Sequence, residues 1–108
     1  MKVLFDQGTP APLRRTLAGH VVETAYERGW SSLENGELIA AAEGAGFDVL
    51  VTTDKNLKYQ QNLTVTARTL SIVVLLTTSW PRIQGSLPAV VEAIDTASRG
   101  AYVEVSIP

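Results

Sequence analysis

Phe47-Asp48-Val49-Leu50-Val51 is a continuous apolar run with one early charge, and it stops at Thr52-Thr53-Asp54. A run with no polar face has to be covered on both sides, the pattern of a central strand in a parallel sheet. Ser71-Ile72-Val73-Val74-Leu75-Leu76 repeats that pattern, so two buried strands require helices on both faces of one sheet. The segment before the first run supplies a helix. From Asn35 to Ala45, Leu38, Ala41, Ala42 and Ala45 recur at three- and four-residue spacing, and Gly44 and Gly46 end the pattern. Glu37 falls in its first turn, where a carboxylate suits the helix dipole.

Toward the start of the chain, Lys2-Val3-Leu4-Phe5 is a short strand closed by Asp6-Gln7-Gly8. Thr9-Pro10 then has the form of an N-cap followed by proline at the first helical position. The helix predicted from Pro10 to Leu17 puts Leu13 and Leu17 on one face and ends at Ala18-Gly19, where glycine suits a left-handed cap. Val21 to Ala25 is a second strand and Tyr26 to Asn35 a polar loop interrupted by Gly29. Further along, Lys55 to Thr69 reads as a short helix plus loop, and Thr77 to Gly85 as a turn region containing Pro81. Leu87 to Ile94 is a helix with Val90, Val91 and Ile94 at core spacing, and Ala101 to Ile107 alternates as an edge strand does. The order β-α-β-α-β-α-β-α-β predicts a three-layer α/β/α sandwich on a mostly parallel five-stranded sheet with right-handed crossovers. With 108 residues and 45% hydrophobic content, a single domain spanning 1–108 is expected.

Composition removes several function classes. The absence of cysteine excludes disulfides, thiolate zinc sites, iron–sulfur clusters and a cysteine nucleophile, and the lone His20 excludes a multi-histidine metal site. Any metal would be bound by oxygen. No serine is placed with His20 as a triad, and neither glycine-rich nucleotide fingerprint occurs. The longest apolar stretch, Leu70 to Leu76, is far short of the roughly 20 residues that span a bilayer, and the start MKVLFDQG has no signal-peptide core. A soluble, cytoplasmic protein with no membrane partner is expected. Nine basic against eleven acidic residues give a net charge of -2, so nucleic-acid binding would have to rest on a local site.

Ligands of open parallel sheets bind beyond the carboxyl ends of the strands. Asp6 and Asp54 each follow a strand expected near the centre of the sheet, and Glu37 lies toward the same edge. Carboxylates gathered there repel one another unless a divalent cation neutralises them, and such a site activates water and clamps a phosphodiester. Taken singly, each also has a plainer role: an aspartate after a strand as a turn residue, an early-helix glutamate as a partner of the dipole. Thr52, Thr53 and Asn56 flank Asp54, where hydroxyls or an amide contact a phosphate or simply continue the strand and cap the next helix. Lys55, Lys58, Tyr59, Gln60 and Gln61 form a polar cluster in which lysines hold phosphate and an aromatic stacks a base, the alternative being a solvated helix.

Two segments, Val3–Leu17 (VLFDQGTPAPLRRTL) and Glu34–Leu57 (ENGELIAAAEGAGFDVLVTTDKNL), and the spacing between them resemble the PIN-like fold. The resemblance is closest to the compact PIN-like proteins related to toxin ribonucleases of bacterial toxin–antitoxin systems, and it covers roughly Lys2 to Leu76. It implies a ribonuclease in which acidic residues at the first strand end, in the early second helix and after the central strand bind Mg²⁺ or Mn²⁺, one or two ions. Carried across, these are Asp6, Glu37 and Asp54; the neighbouring Thr53, Lys55, Asn56, Lys58, Tyr59 and Asn35 are, from their own chemistry, the candidate substrate contacts. An RNA substrate, an antitoxin partner and a homodimer are implied with it. The chain departs from the family pattern at Asn35 and Asn56, which stand where relatives commonly have acids; an amide coordinates through oxygen but brings no charge. Two functions therefore compete: a metal-dependent ribonuclease, and a catalytically weak or inactive module that binds RNA or a protein through the same crevice. A receiver-like phosphoesterase is disfavoured by the order of the carboxylates.

Overall fold

The computed structural model of the chain describes residues 1–55, 57 and 69–108. Strands β1 (Lys2–Phe5), β2 (Val21–Thr24), β3 (Val49–Thr52), β4 (Ser71–Leu75) and β5 (Tyr102–Val105) form one sheet in the order β2-β1-β3-β4-β5. Every neighbouring pair is parallel. Around it lie a 3₁₀ helix (Ala11–Thr16) and helices α1 (Asn35–Gly44), α2 (Trp80–Gln84) and α3 (Leu87–Asp95).

Strand side chains alternate between faces, and here both faces are dry. Val3, Phe5, Val49, Val51, Val73 and Leu75 pack on one side with Leu13 and Leu17 beside the 3₁₀ helix, Ile83 of α2, and Val90 and Ile94 of α3. Leu4, Leu50, Ile72 and Val74 pack on the other with Leu38, Ile39 and Ala42 of α1 and with Phe47. The two unbroken apolar runs are thus the two strands β3 and β4, fully buried along their length. The edge strand β5 exposes Glu104 and buries Val105, the alternation expected of it.

One crossover breaks the expected uniform handedness. The 3₁₀ connection carries the chain from β1 outward to β2 over the first face, and α1 carries it back across β1 to β3 over the second; these two have the same hand. Helices α2 and α3 carry it from β4 outward to β5 over the first face, moving the opposite way, so this connection has the opposite hand. The 3₁₀ helix spans only six residues. The α2–α3 pair covers the apolar surface of Val73, Leu75 and Val105 on that face, and burial of that area outweighs the twist preference behind the handedness rule.

Three local expectations are also corrected. The first helix is 3₁₀, with Leu13 and Leu17 amides bonded three residues back to Pro10 and Arg14 over a span of six residues, the short form in which such helices occur. Gly19 is not left-handed; Gly29, Gly46 and Gly100 are. The region read as a turn around Pro81 contains α2, with Ser79 as N-cap accepting the Arg82 N–H at 3.4 Å and Pro81 tolerated in the first turn.

The loop after β2 is fastened by Arg28. Its guanidinium makes a two-pronged pair with Glu23, at 2.9 and 3.1 Å, and lies 5.3 Å from the Trp30 ring centre and 5.0 Å from that of Phe47. Trp30 in turn meets Phe47 edge-on at 6.1 Å, so the tryptophan anchors its loop on the α1 side. The hydrogen bond from Arg28 holds the Glu23 carboxyl below the ordinary glutamate value. A depressed carboxyl stabilises the fold above its unfolded pKa, and that contribution is lost as pH falls through the folded value. In Arg28→Ala, an NMR pH titration should show Glu23 moving back up to the ordinary range; an unmoved Glu23 would contradict the assignment. Among the described residues, no helix is long and apolar enough to cross a membrane.

Candidate functional site

Strands β1 and β3 lie side by side, yet the chain leaves β1 toward β2 on one flank and leaves β3 toward β4 on the other. Such a reversal opens a crevice at the carboxyl ends of the pair, the general ligand position of open α/β sheets. The register pairs Phe5 with Val51, so Asp6 and Thr52 emerge together at this edge. The Asp6 N–H extends the ladder by one rung to the Val51 carbonyl at 3.1 Å.

Four residues are joined in series there. The Thr52 hydroxyl donates to Asp6 Oδ2, and its oxygen accepts the Asp54 N–H at 3.1 Å. The Asn35 amide at the start of α1 donates to Asp54 Oδ2 at 2.8 Å. On the far side of Asp6, Thr9 Oγ1 lies 2.7 Å from Asp6 Oδ1 and 2.8 Å from the Val51 carbonyl, its single proton serving one acceptor at a time. Thr9 is therefore no helix cap: it closes the turn from Asp6, its N–H reaching the Asp6 carbonyl at 3.2 Å, and Pro10 takes the cap position. Gly8 in that turn lies close to Thr53: a Cβ there would stand 2.5 Å from Thr53 Oγ1, so a larger residue would need that hydroxyl to move. Thr9 and Thr52 are buried, while Asp6, Asn35, Thr53 and Asp54 are half-buried at the rim.

The structure thus brings Asp6, Asp54 and Asn35 together, with Thr53 against the turn and Lys55 exposed beside them. Glu37 is engaged differently. It is exposed, and its Oε1 accepts the Glu34 N–H at 3.1 Å, one half of a capping box at the start of α1. Asn56, Lys58 and Tyr59 lie outside the described residues. Among the described residues, no three His, Cys, Asp or Glu side chains gather as a metal-ligating group. The donors that do meet are all oxygens or can present one, the set matched to hard cations such as Mg²⁺ and Mn²⁺.

A cleft of about 130 Å³ opens on this cluster, lined by Asp6, Gly8, Trp30, Asn35 and Leu38 among others. A larger hollow, about 410 Å³, lies at the opposite, amino edge of the sheet. There the carboxylates are structural: Asp48 accepts the Lys2 N–H at 2.8 Å, and Glu43 accepts the Thr69 and Leu70 N–H groups at 3.1 and 3.4 Å. The amino-edge hollow is the larger, whereas the reversal of connections and the hydrogen-bonded series of Asp6, Thr52, Asp54 and Asn35 lie at the carboxyl edge.

The parts not legible beforehand are Thr9 and Gly8, whose signal is the D-x-G-T turn itself, and the bridging role of Thr52. Thr52→Val keeps the shape but removes the acceptor of the Asp54 N–H and one donor to the Asp6 carboxylate. Hydrogen bonds to charged groups contribute about 1.5–3 kcal/mol. Urea unfolding should show that loss for Thr52→Val and little of it for Thr52→Ser; equal stability of the two variants would mean the hydroxyl bridges nothing.

Comparison of the chain with protein-family models, with curated proteins and with solved structures found no match. The strand order is shared by doubly wound folds of many functions and assigns none by itself.

Proposed function

We propose that this is a PIN-like, divalent-metal-dependent ribonuclease whose cation is held by Asp6 and Asp54. The observation that carries the reading is the hydrogen-bonded series Asp6–Thr52–Asp54–Asn35 at the point where the sheet reverses its connections. Mg²⁺ prefers one or two carboxylates with water completing its shell, so a pair suffices where a cage of three is absent. When bound, the ion supplies charge stabilisation at the phosphodiester and a lowered pKa for the attacking water.

The chain's own contribution is orientation. The hydroxyls of Thr9 and Thr52 fix the two oxygens of Asp6, and the bond from its own N–H to Thr52 together with the Asn35 amide fixes Asp54. Two carboxylates held in place before a cation arrives lose little freedom on binding it. Glu37 organises the start of α1, and through it Asn35, as a positioning residue. Thr53 and Lys55, next to Asp54 in the chain, are the proposed contacts to the flanking RNA strand. A role as the toxin of a toxin–antitoxin pair, acting as a homodimer, belongs to the same proposal.

The test is incubation of the purified protein with a mixed RNA pool in Mg²⁺ or Mn²⁺, beside an EDTA control. Cleavage with metal and none with EDTA supports the reading; intact RNA at millimolar metal overturns it. The Asn35 amide on Asp54, standing where the family resemblance has an acid, favours a second reading: a non-catalytic module using the same crevice. That reading predicts retention of RNA or of an antitoxin without cleavage.

A further inference from the structure

A second cleft, about 320 Å³, opens beyond the carboxyl ends of β3 and β4 and is lined by Thr53, Lys55, Leu76, Thr77, Thr78 and Arg82. Its polar lining consists of two cations and three hydroxyls with no carboxylate, in a chain of net charge -2. Arg82 is held in place from behind: its Nε donates to the backbone oxygen of Pro108 at 3.2 Å and an Nη to the Ile107 carbonyl at 2.9 Å. Thr77 accepts the Ser79 N–H at 3.1 Å, which leaves its own proton available for donation outward. Thr53 precedes Asp54 directly, so this cleft adjoins the carboxylate series.

One anchored guanidinium, an exposed lysine and three hydroxyls lining a cleft without a carboxylate select an oxyanion. Lysine, arginine and threonine are the side chains that contact nucleic-acid phosphates. We infer that this cleft seats a backbone phosphate of single-stranded RNA, next to the phosphodiester presented at Asp6 and Asp54. The inference rests on the ribonuclease reading and deepens it: Thr77, Thr78 and Arg82 become binding residues, and the seat grips the strand without reading its bases. The local positive charge also explains how an acidic chain engages a polyanion, which its net charge alone opposes.

The test is fluorescence anisotropy of a labelled single-stranded oligoribonucleotide with EDTA present, so that the metal site is silent. Wild-type protein should bind, and Lys55→Gln should weaken binding equally for oligonucleotides of different sequence. The slope of log affinity against log salt should fall by about 0.7 in magnitude, the loss of one contact to a single strand. Thr78→Val, an exposed and structurally neutral change, should weaken binding with the slope unchanged. Arg99→Gln removes the same charge at the amino edge and should leave affinity intact. Failure of wild type to bind, or equal losses for Lys55→Gln and Arg99→Gln, overturns the phosphate seat. Those results leave the metal site to be decided by cleavage, and absence of cleavage with normal EDTA-insensitive binding overturns the nuclease reading alone.

Discussion

Phe5→Ala should lower the stability of the protein by about 3–5 kcal/mol, the usual cost of emptying a large buried aromatic site. Phe5 is wholly buried at the end of β1, in the cluster that holds Leu13, Leu17, Val51 and Val73. Its carbonyl accepts the Ala25 N–H at 2.8 Å on the β2 side, and the N–H of the next residue, Asp6, reaches the Val51 carbonyl of β3 at 3.1 Å. Domains are stable by roughly 5–15 kcal/mol in all, so this one change removes a large share. Urea unfolding would read it as a lower midpoint at an unchanged slope. A loss below about 1 kcal/mol would mean that the first face is not packed on β1 as described.

Asp6→Asn and Asp54→Asn should each reduce metal-dependent RNA cleavage by at least about 100-fold, since an active-site cation is worth several kcal/mol of transition-state stabilisation. The folded state should change far less. An asparagine at position 54 still accepts the Asn35 amide through its own oxygen, and one at position 6 keeps one of the two threonine donors, so thermal unfolding separates loss of chemistry from loss of structure. Glu37→Gln is the informative contrast. Glutamine also completes a capping box, so cleavage by that variant should stay within a few fold of wild type if Glu37 acts only through the start of α1. A 100-fold loss in Glu37→Gln would return this residue to the metal.

The fold was legible because its two central strands carry no polar side chain between Val49 and Val51 or between Ile72 and Leu75. That pattern admits only coverage on both faces, and the helices on either side follow from it. What the residues did not disclose is instructive in each case. Pro81 reads as a turn breaker, yet proline costs nothing in a first helical turn behind a Ser79 cap. The hand of the last crossover depends on which face still has apolar area to cover, a property of the assembled sheet rather than of the segment from Trp80 to Asp95. The placement of Asp6 and Asp54 just beyond the ends of β1 and β3 was legible from the sequence. Their linkage was not, because Thr52 looks like any β-branched strand residue until the register sets it against Asp6. Glu37 shows the reverse: its position in the first turn suits both a metal and a helix cap, and only the direction of its carboxylate distinguishes them.

The most direct measurement is a calorimetric Mn²⁺ titration of the wild-type protein beside Asp6→Asn, Asp54→Asn and Glu37→Gln. One saturable site in wild type and Glu37→Gln, absent from both aspartate variants, is the predicted result. No heat of binding at millimolar Mn²⁺, or a site that survives both aspartate substitutions, would contradict a cation held between Asp6 and Asp54.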